Sequence, residues 1–189
     1  MKLPTVLVVW TLALACGKAG IRTPADTYLI TKSGIAGIQL EMTLQEAREA
    51  APMAEFKRVS DGDGAALVLV TFASNASLTL WADEDDPRAP IDWSKHIKTI
   101  EAFGSAFHTR EGIHPGTLVT DVEKVFGRTR EIVKSEIESR EYIEFEKQPD
   151  YLTFRLNHTG IFPERLRRTQ AFQPGATIWS IAVSTYRSP

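Results

Sequence analysis

The sequence predicts an α+β fold in which a helix packed on an antiparallel β-sheet is duplicated in tandem, over residues 25–104 and 105–189. Three observations predict it. Short landmarks recur at a nearly constant spacing, apolar residues follow a helical period after each landmark, and apolar and polar residues alternate in the segments that come next. These two periods distinguish amphipathic helices from half-buried strands.

The repeat is defined by two pairs of similar segments. Residues 31–35 resemble residues 109–113, and residues 97–101 resemble residues 178–182, at spacings of 78 and 81 residues. Because similar landmarks recur in the same order, we interpret the chain as two copies of a unit of about 75 residues.

Each unit is expected to begin with an extended segment and a glycine turn, followed by one helix. Thr43 and Glu46 have the spacing of a capping box at the start of the first helix. The apolar face of that helix is predicted to comprise Leu44, Ala47, Ala50 and Ala51. The apolar face of the second is predicted to comprise Leu118, Val122, Val125 and Phe126, with Gly127 ending the helix.

Strands are expected to follow each helix. The three predicted strands are residues 65–72, 77–81 and 97–103 in the first unit, and 141–146, 151–156 and 177–185 in the second, whereas the extended segments before the helices are residues 28–31 and 106–109. Alternation between residues 141 and 146 predicts a strand with one solvent-exposed face. Residues 61–64 and 148–150 carry the Asp, Gly and Pro that favour turns between strands.

The N-terminus carries an export signal. Lys2 precedes an apolar run that ends at Ala15, and the next residue, Cys16, is the only cysteine. The run is shorter than the roughly 20 residues that a membrane-spanning helix needs, and is typical of a signal peptide. Ala15, Cys16 and Gly17 resemble a lipobox, so we expect residues 1–15 to be removed and Cys16 to carry lipid. Plain secretory cleavage after Ala15 is the alternative.

Residues 16–24 are expected to tether the folded part to a membrane of the bacterial envelope, facing the periplasm or the exterior. The net charge of −2 argues against a nucleic-acid partner. With a single cysteine, no internal disulfide can hold the fold, so apolar burial must stabilise it.

The start of the first predicted helix carries a family resemblance. Residues 38–47, with Met42, Thr43 and Glu46, resemble the helix entry of small bacterial envelope lipoproteins. These share a fold with the β-lactamase inhibitor protein and with the small lipoprotein of the outer-membrane β-barrel assembly machinery. Glu41 stands where the family usually has glycine. The resemblance implies a binding module and transfers no catalytic residue.

No pattern in the sequence indicates catalysis. The four histidines, His96, His108, His114 and His158, lack zinc-site spacing and have no cysteine partner. Hydrolase and phosphate-loop motifs are absent from the sequence. Residues 61–64 lack the further carboxylates of a calcium loop and are interpreted as a hairpin turn. We therefore expect no catalytic residue, no metal and no cofactor.

Two long loops differ in charge. Residues 83–96 carry a net charge of −3 and residues 158–176 carry +2. Binding residues concentrate in loops on a rigid scaffold, so we interpret these loops as partner-binding. Two unrelated solvated loops, or weak calcium binding by the acidic run, are the alternatives. The candidate partner-binding residues are Asp83, Glu84, Asp85, Asp86, Trp93, Phe162, Arg165, Arg167 and Arg168.

These features favour a lipid-anchored envelope lipoprotein that binds another envelope protein and is not an enzyme. A periplasmic hydrolase with a site between the repeats and a carrier of an apolar ligand are the alternatives, and both would need a deep pocket. Trp81, Phe103 and Trp179 are expected in the core, where large apolar side chains are usually found.

Overall fold

The computed structural model describes residues 28–73, 76–136 and 139–186, which form two antiparallel sheets and two short helices. The small sheet contains β1 (Ile30–Thr31), β2 (Gly34–Ile35) and β3 (Ile38–Gln39). The helices are α1 (Leu44–Ala50) and α2 (Val119–Phe126).

Nine strands form the large sheet. They are β4 (Glu55–Ser60), β5 (Ala66–Thr71), β6 (Ser77–Trp81), β7 (Thr99–Phe103), β8 (Thr129–Lys134), β9 (Glu141–Phe145), β10 (Leu152–Leu156), β11 (Arg168–Thr169) and β12 (Ile178–Ser184). Their spatial order is β11-β8-β9-β10-β12-β7-β6-β5-β4. The last strand in sequence, β12, therefore lies inside the sheet, between β10 and β7.

The predicted α+β class, a duplicated helix on a sheet, is wrong. The described residues are mostly β-structure, the helices have only seven and eight residues, and strands from both predicted units join in one sheet. The matched segments 97–101 and 178–182 contribute to β7 and β12, which pair directly, with Ala102 opposite Ile181. The unit boundaries at residues 25–104 and 105–189 stay a prediction.

The start of α1 is as predicted. Glu46 N–H donates to Thr43 Oγ1 at 3.1 Å, and Thr43 N–H donates to the Glu46 carboxylate at 2.8 Å, which completes the capping box. Leu44, Ala47 and Ala51 are buried, but Ala50 is exposed. The first predicted face was therefore right in three of four positions.

The second predicted face is partly wrong. Val122 and Phe126 are buried as expected, whereas Leu118 and Val125 are 41% and 42% exposed, and the buried residue at the helix start is Val119. Leu118 is the N-cap residue and has extended dihedral angles, so its side chain leaves the helical face.

Six predicted strands are confirmed within a few residues, but β4 and β8 were missed. Both are polar: β4 has no fully buried residue, and β8 has two. Alternation in β9 is confirmed, because Ile143 and Phe145 are buried while Tyr142 and Glu144 are partly exposed. Glu141 lies on the same buried face although it is a charged residue, and its carboxylate accepts the Gly160 N–H at 2.8 Å.

One hydrophobic cluster covers one face of the large sheet and includes both helices and the small sheet. It contains Ile30 and Ile38, Leu44 of α1, Val122 of α2 and Ile181 of β12. Every strand and both helices of the described residues lie between residues 28 and 186, and these residues form the whole described core.

The two long loops leave the sheet at opposite ends. Trp81, before the loop over residues 83–96, pairs with Thr99; we call this the Trp81 end. Leu156, before the loop over residues 158–176, pairs with Ile178. Because β7 and β12 are antiparallel, Ile178 lies at the end where β7 finishes, which we call the Phe103 end.

The predicted signal peptide, tether and Cys16 lie outside the described residues. Within the described ranges, neither helix has the length and apolar character needed to cross a membrane.

Candidate interaction face

The surface of the large sheet opposite the core is called the open face. Residues that alternate with buried ones supply its side chains. Thr79 lies between buried Leu78 and Leu80, and pairs with Glu101, which lies between buried Ile100 and Ala102. The open face therefore continues across the pair β7 and β12, which joins the two halves of the sheet.

Two hairpins meet over this face. Asp61 follows β4 at one side of the sheet, and Arg140 precedes β9 near the other side. An Arg140 Nη2–H donates to Asp61 Oδ2 at 2.8 Å, and the two side chains are 23% and 9% exposed. Strand twist brings diagonal corners of a large sheet together. We call this ion pair the clasp.

The Asp61 carboxylate is held in its charged form. Burial alone would raise its pKa, but hydrogen bonds from the Ala65 N–H and from Arg140 outweigh burial and lower the pKa below its ordinary value. Asp61 Oδ1 also accepts the N–H groups of Asp63 and Ala65, at 3.1 and 2.8 Å. The predicted hairpin turn at residues 61–64 is thus confirmed, and its first carboxylate bonds to protein groups.

A polar network lies near the clasp in the middle of the open face. Glu101 Oε1 accepts from Arg155 Nη1 at 2.6 Å and from Ser180 Oγ at 2.5 Å. Ser180 is 1% exposed. Arg155 Nε is buried and has no hydrogen-bond partner among the described residues. The network neutralises the two charges but leaves one donor unsatisfied.

Aromatic side chains border this network. Trp81 and Trp179 are 46% and 47% exposed, and Phe103 packs edge-on against Trp179 with ring centroids 6.4 Å apart. These three rings, with Asp61, Arg140, Glu101 and Arg155, line a pocket of about 310 Å³. The expectation that Trp81 and Trp179 lie in the core is wrong. Alternation with buried Leu78 and Leu80 was the sequence signal that places Trp81 on the open face.

A wider groove of about 900 Å³ extends over the β8 to β10 part of the sheet. Among its charged side chains, Arg130 pairs with Glu144 and Arg168 pairs with Glu131 at 2.5 Å, and the Glu146 and Asp150 carboxylates also line it. In the open-face pocket, by contrast, the clasp and the Glu101–Arg155 pair neutralise every charged side chain of the lining. Apolar and aromatic contacts are therefore the strongest interactions that it offers to a partner.

The acidic loop, residues 83–96, is held by its own contacts. Glu84 pairs with Arg58 of β4, and the two side chains are 7% and 14% exposed. Asp83 accepts the Tyr186 hydroxyl at 3.2 Å, and Asp86 accepts the Arg88 N–H at 2.9 Å. Glu84 is thus a structural residue, whereas Asp85 and Asp86 face solvent.

The basic loop, residues 158–176, crosses the other side of the sheet. Arg165, Arg167 and Arg168 are all exposed. Arg167 Nη1 donates to the Ser135 carbonyl at 2.8 Å, and Arg168 pairs with Glu131. The two loops contact opposite sides of the sheet, β4 and β8, so these contacts do not bring the predicted acidic and basic residues together.

The two loop aromatics act as local packing anchors. Trp93 is half-buried, packs against Phe56 with centroids 6.1 Å apart, and carries the Arg48 guanidinium over its ring at 4.1 Å. Phe162 packs against the core and lies 5.9 Å from Lys134 Nζ. A partner-binding role for either ring stays a prediction.

The histidines lie apart from the open-face pocket. His96 Nδ1 is 2.7 Å from the Glu41 carbonyl, and His114 Nδ1 is 2.8 Å from the Pro115 carbonyl. His158 Nδ1 lies 3.9 Å from the buried Glu141 carboxylate. Within the described part of the chain, no three His, Cys, Asp or Glu side chains are grouped so that they could hold a metal ion.

Comparison with known proteins identifies a structure of similar fold but no family to which the chain belongs. No family model and no curated protein matches the chain significantly. The fold is similar to that of YfeY, an uncharacterized protein from Escherichia coli with a solved crystal structure, at a TM-score of 0.50 and 13% sequence identity. The alignment covers 84% of this chain and 99% of YfeY. At this identity the likeness extends to the fold alone.

Proposed function

We propose that this protein is a lipid-anchored lipoprotein of the bacterial envelope that binds another envelope protein and catalyses no reaction. The observation that carries the proposal is the aromatic set on the open face, in which Trp81 and Trp179 are exposed and the half-buried Phe103 packs against Trp179. Tryptophan side chains that are half-exposed at a continuous sheet surface are enriched where proteins bind each other.

The electrostatics of the open face support an apolar mode of binding. The carboxylates and guanidinium groups of the open-face pocket are paired within the protein, so a partner need not supply complementary charges there. Salt would then have little effect on the affinity, because screening acts mainly on exposed unpaired charges.

The sequence of residues 1–16 supports the anchor. A charged start, a short apolar run and a single cysteine after a small residue are what a lipoprotein signal requires. Diacylated cysteine gives stable membrane association, which a single acyl chain does not. Replacement of the cysteine, Cys16→Ser, is expected to release the protein from membranes, and normal membrane association of this variant would argue against the anchor.

The binding face can be tested by photo-crosslinking in bacterial cells. A photo-reactive phenylalanine placed at Trp81 or Trp179 is expected to give a discrete adduct of higher mass. Met53 is the matched control, because it is 90% exposed and does not line the open-face pocket.

The second step tests whether the aromatic set binds the partner. Trp179→Ala should reduce the adduct formed from position 81 without unfolding the protein, since Trp179 is 47% exposed. Equal adducts from Met53 and from the open face, or no adduct above background at either tryptophan, would contradict the proposal.

A further inference from the structure

We infer that the basic loop, residues 158–176, docks onto an anionic lipid surface. The loop combines exposed apolar side chains with arginines at one end of the sheet. Segments with this combination bind at the interface between lipid headgroups and acyl chains. The inference takes its orientation from the proposed anchor at Cys16, although the test below needs no anchor.

The apolar component consists of Ile161 and Leu166, whose side chains are exposed to water without contributing to the core. Ile161 is 48% exposed and Leu166 is 58% exposed, while their neighbour Phe162 packs into the core. Ile161 N–H donates to the Ala171 carbonyl at 2.8 Å, and Leu166 N–H donates to the Pro163 carbonyl at 3.0 Å. Backbone bonds thus hold the loop with both side chains pointing away from the core.

The cationic component is adjacent to these side chains. Arg165 and Arg167 flank Leu166, and both are exposed. Within the described residues, Arg165 has no ion-pair partner, and Arg167 donates to a neutral carbonyl of Ser135. Arg168 is neutralised by Glu131. Two guanidinium charges on either side of an apolar residue therefore remain available to phosphate groups.

The first described residues of the chain lie at the same end of the sheet as this loop. His108 N–H donates to the Tyr28 carbonyl at 3.2 Å, and the Tyr28 ring lies 5.9 Å from Phe72. Phe72 comes directly after Thr71, the last residue of β5. Thr71 pairs with Ser77 of β6, and Ser77 pairs with Phe103 of β7, so Tyr28 lies at the Phe103 end. Arg167 lies at the same end, because its carbonyl accepts the N–H of Lys134 in β8. Lys134 pairs with Glu141 of β9, and Glu141 pairs with Leu156 of β10, from which the basic loop leaves the sheet.

The length of the tether limits the distance between this end and the membrane. Residues 16–27 comprise twelve residues, which span at most about 40 Å when fully extended. A protein held by Cys16 is thus kept within reach of the lipid surface, with its Phe103 end closest to the point of attachment.

The charge distribution along the sheet agrees with this orientation. The acidic loop leaves the sheet at the Trp81 end and the basic loop at the Phe103 end, with net charges of −3 and +2. An anionic surface attracts the basic end and repels the acidic one, although the whole chain is almost neutral. Screening limits this effect to about 10 Å from the surface.

Vesicle binding tests the inference without the anchor. The probe is the chain from residue 16 onward with Cys16→Ser, which contains the whole described fold. It should bind mixed phosphatidylcholine–phosphatidylglycerol vesicles in a flotation assay and should bind pure phosphatidylcholine vesicles far more weakly. Arg165→Gln with Arg167→Gln should weaken binding to the mixed vesicles by about tenfold, because each arginine near an anionic surface contributes a severalfold effect. Leu166→Ser should also weaken it.

The matched control removes two positive charges at the other end of the sheet. Arg88→Gln with Lys95→Gln in the acidic loop makes the same change in net charge and should leave vesicle binding unchanged. The inference is overturned if the protein does not bind the mixed vesicles, if it binds pure phosphatidylcholine equally well, or if the control pair weakens binding as much as the loop pair. It is also overturned if the loop pair leaves vesicle binding unchanged, whether or not it removes the protein adduct formed at the open face.

Discussion

Individual side chains on the open face contribute to the stability of the fold, and the contribution of the Arg140–Asp61 clasp can be tested directly. Arg140→Gln leaves the buried Asp61 carboxylate without its cation and should cost about 2 kcal/mol of unfolding free energy. Adding Asp61→Asn to this variant should cost little more, because the two residues act as a unit. Urea unfolding of both single variants and the double variant measures the coupling, and additive losses would show that the clasp does not form in solution.

The clasp should also depend on pH. The pKa of Asp61 is lowered in the folded protein, so its contribution to stability is present above the ordinary pKa of an aspartate and is lost as the pH falls through the lower folded value. The same urea experiment repeated at a pH below the ordinary pKa of an aspartate should therefore show a smaller difference between Arg140→Gln and the unsubstituted protein.

At the scale of residues, the sequence located the charged residues in the right loop but did not predict which side chains they contact. The acidic run at residues 83–86 was correctly located in a loop, but its interpretation as one binding cluster missed the Arg58 side chain that pairs with Glu84. Arg58 lies in β4, 26 residues earlier in the chain. Only tertiary structure brings the two together, and no local pattern encodes such a contact.

At the scale of elements, the small sheet depends on a glycine. A Cβ atom on Gly34 of β2 would lie 2.1 Å from the Ile38 carbonyl oxygen in β3, a distance that requires backbone movement. Gly34→Ala should therefore destabilise the protein by more than 2 kcal/mol, as expected for overpacking against a rigid neighbour (typically about 1–3 kcal/mol).

The control for this substitution is Gly62, which lies in a turn and not in a strand. Gly62 has no heavy atom within 4 Å of its Cβ position. Gly62→Ala is expected to change the thermal midpoint little, and a similar loss in both variants would show that β2 and β3 do not approach each other closely.

Elements with a strong local signal were predictable, and those without one were not. The capping box of α1 and the alternation of β9 depend on neighbouring residues, and both are confirmed. β4 and β8 carry charged residues and little alternation, because β4 is an edge strand and β8 has only the two-residue β11 beyond it. Their strand conformation is set by pairing with β5 and β9, a contact that the sequence does not display locally.

At the scale of the whole molecule, the pairing of β7 with β12 should make unfolding cooperative. Ile181 is fully buried in β12, between β7 and β10, and Ile181→Ala should cost about 3 kcal/mol through the cavity that it leaves. Val125→Ala, at a position that is 42% exposed, should cost less than about 0.5 kcal/mol. Tryptophan fluorescence and far-ultraviolet circular dichroism should report one coincident transition, whereas two separate transitions would indicate halves that unfold independently.

The whole-molecule prediction failed because the repeat signal does not specify how the halves join. Similar segments at residues 97–101 and 178–182 are compatible with separate sheets or with one shared sheet. The structure selects the shared sheet, in which β12 is hydrogen-bonded to β7 and β10.

The position of β12 also has a consequence for the timing of synthesis. The residues of β12 are synthesised after those of every other described strand, yet this strand occupies an interior place in the sheet, with β10 on one side and β7 on the other. Until it arrives, β7 and β10 each expose an unpaired edge, and such edges bind other chains readily. The nascent protein therefore cannot complete its large sheet until the residues of β12 are available.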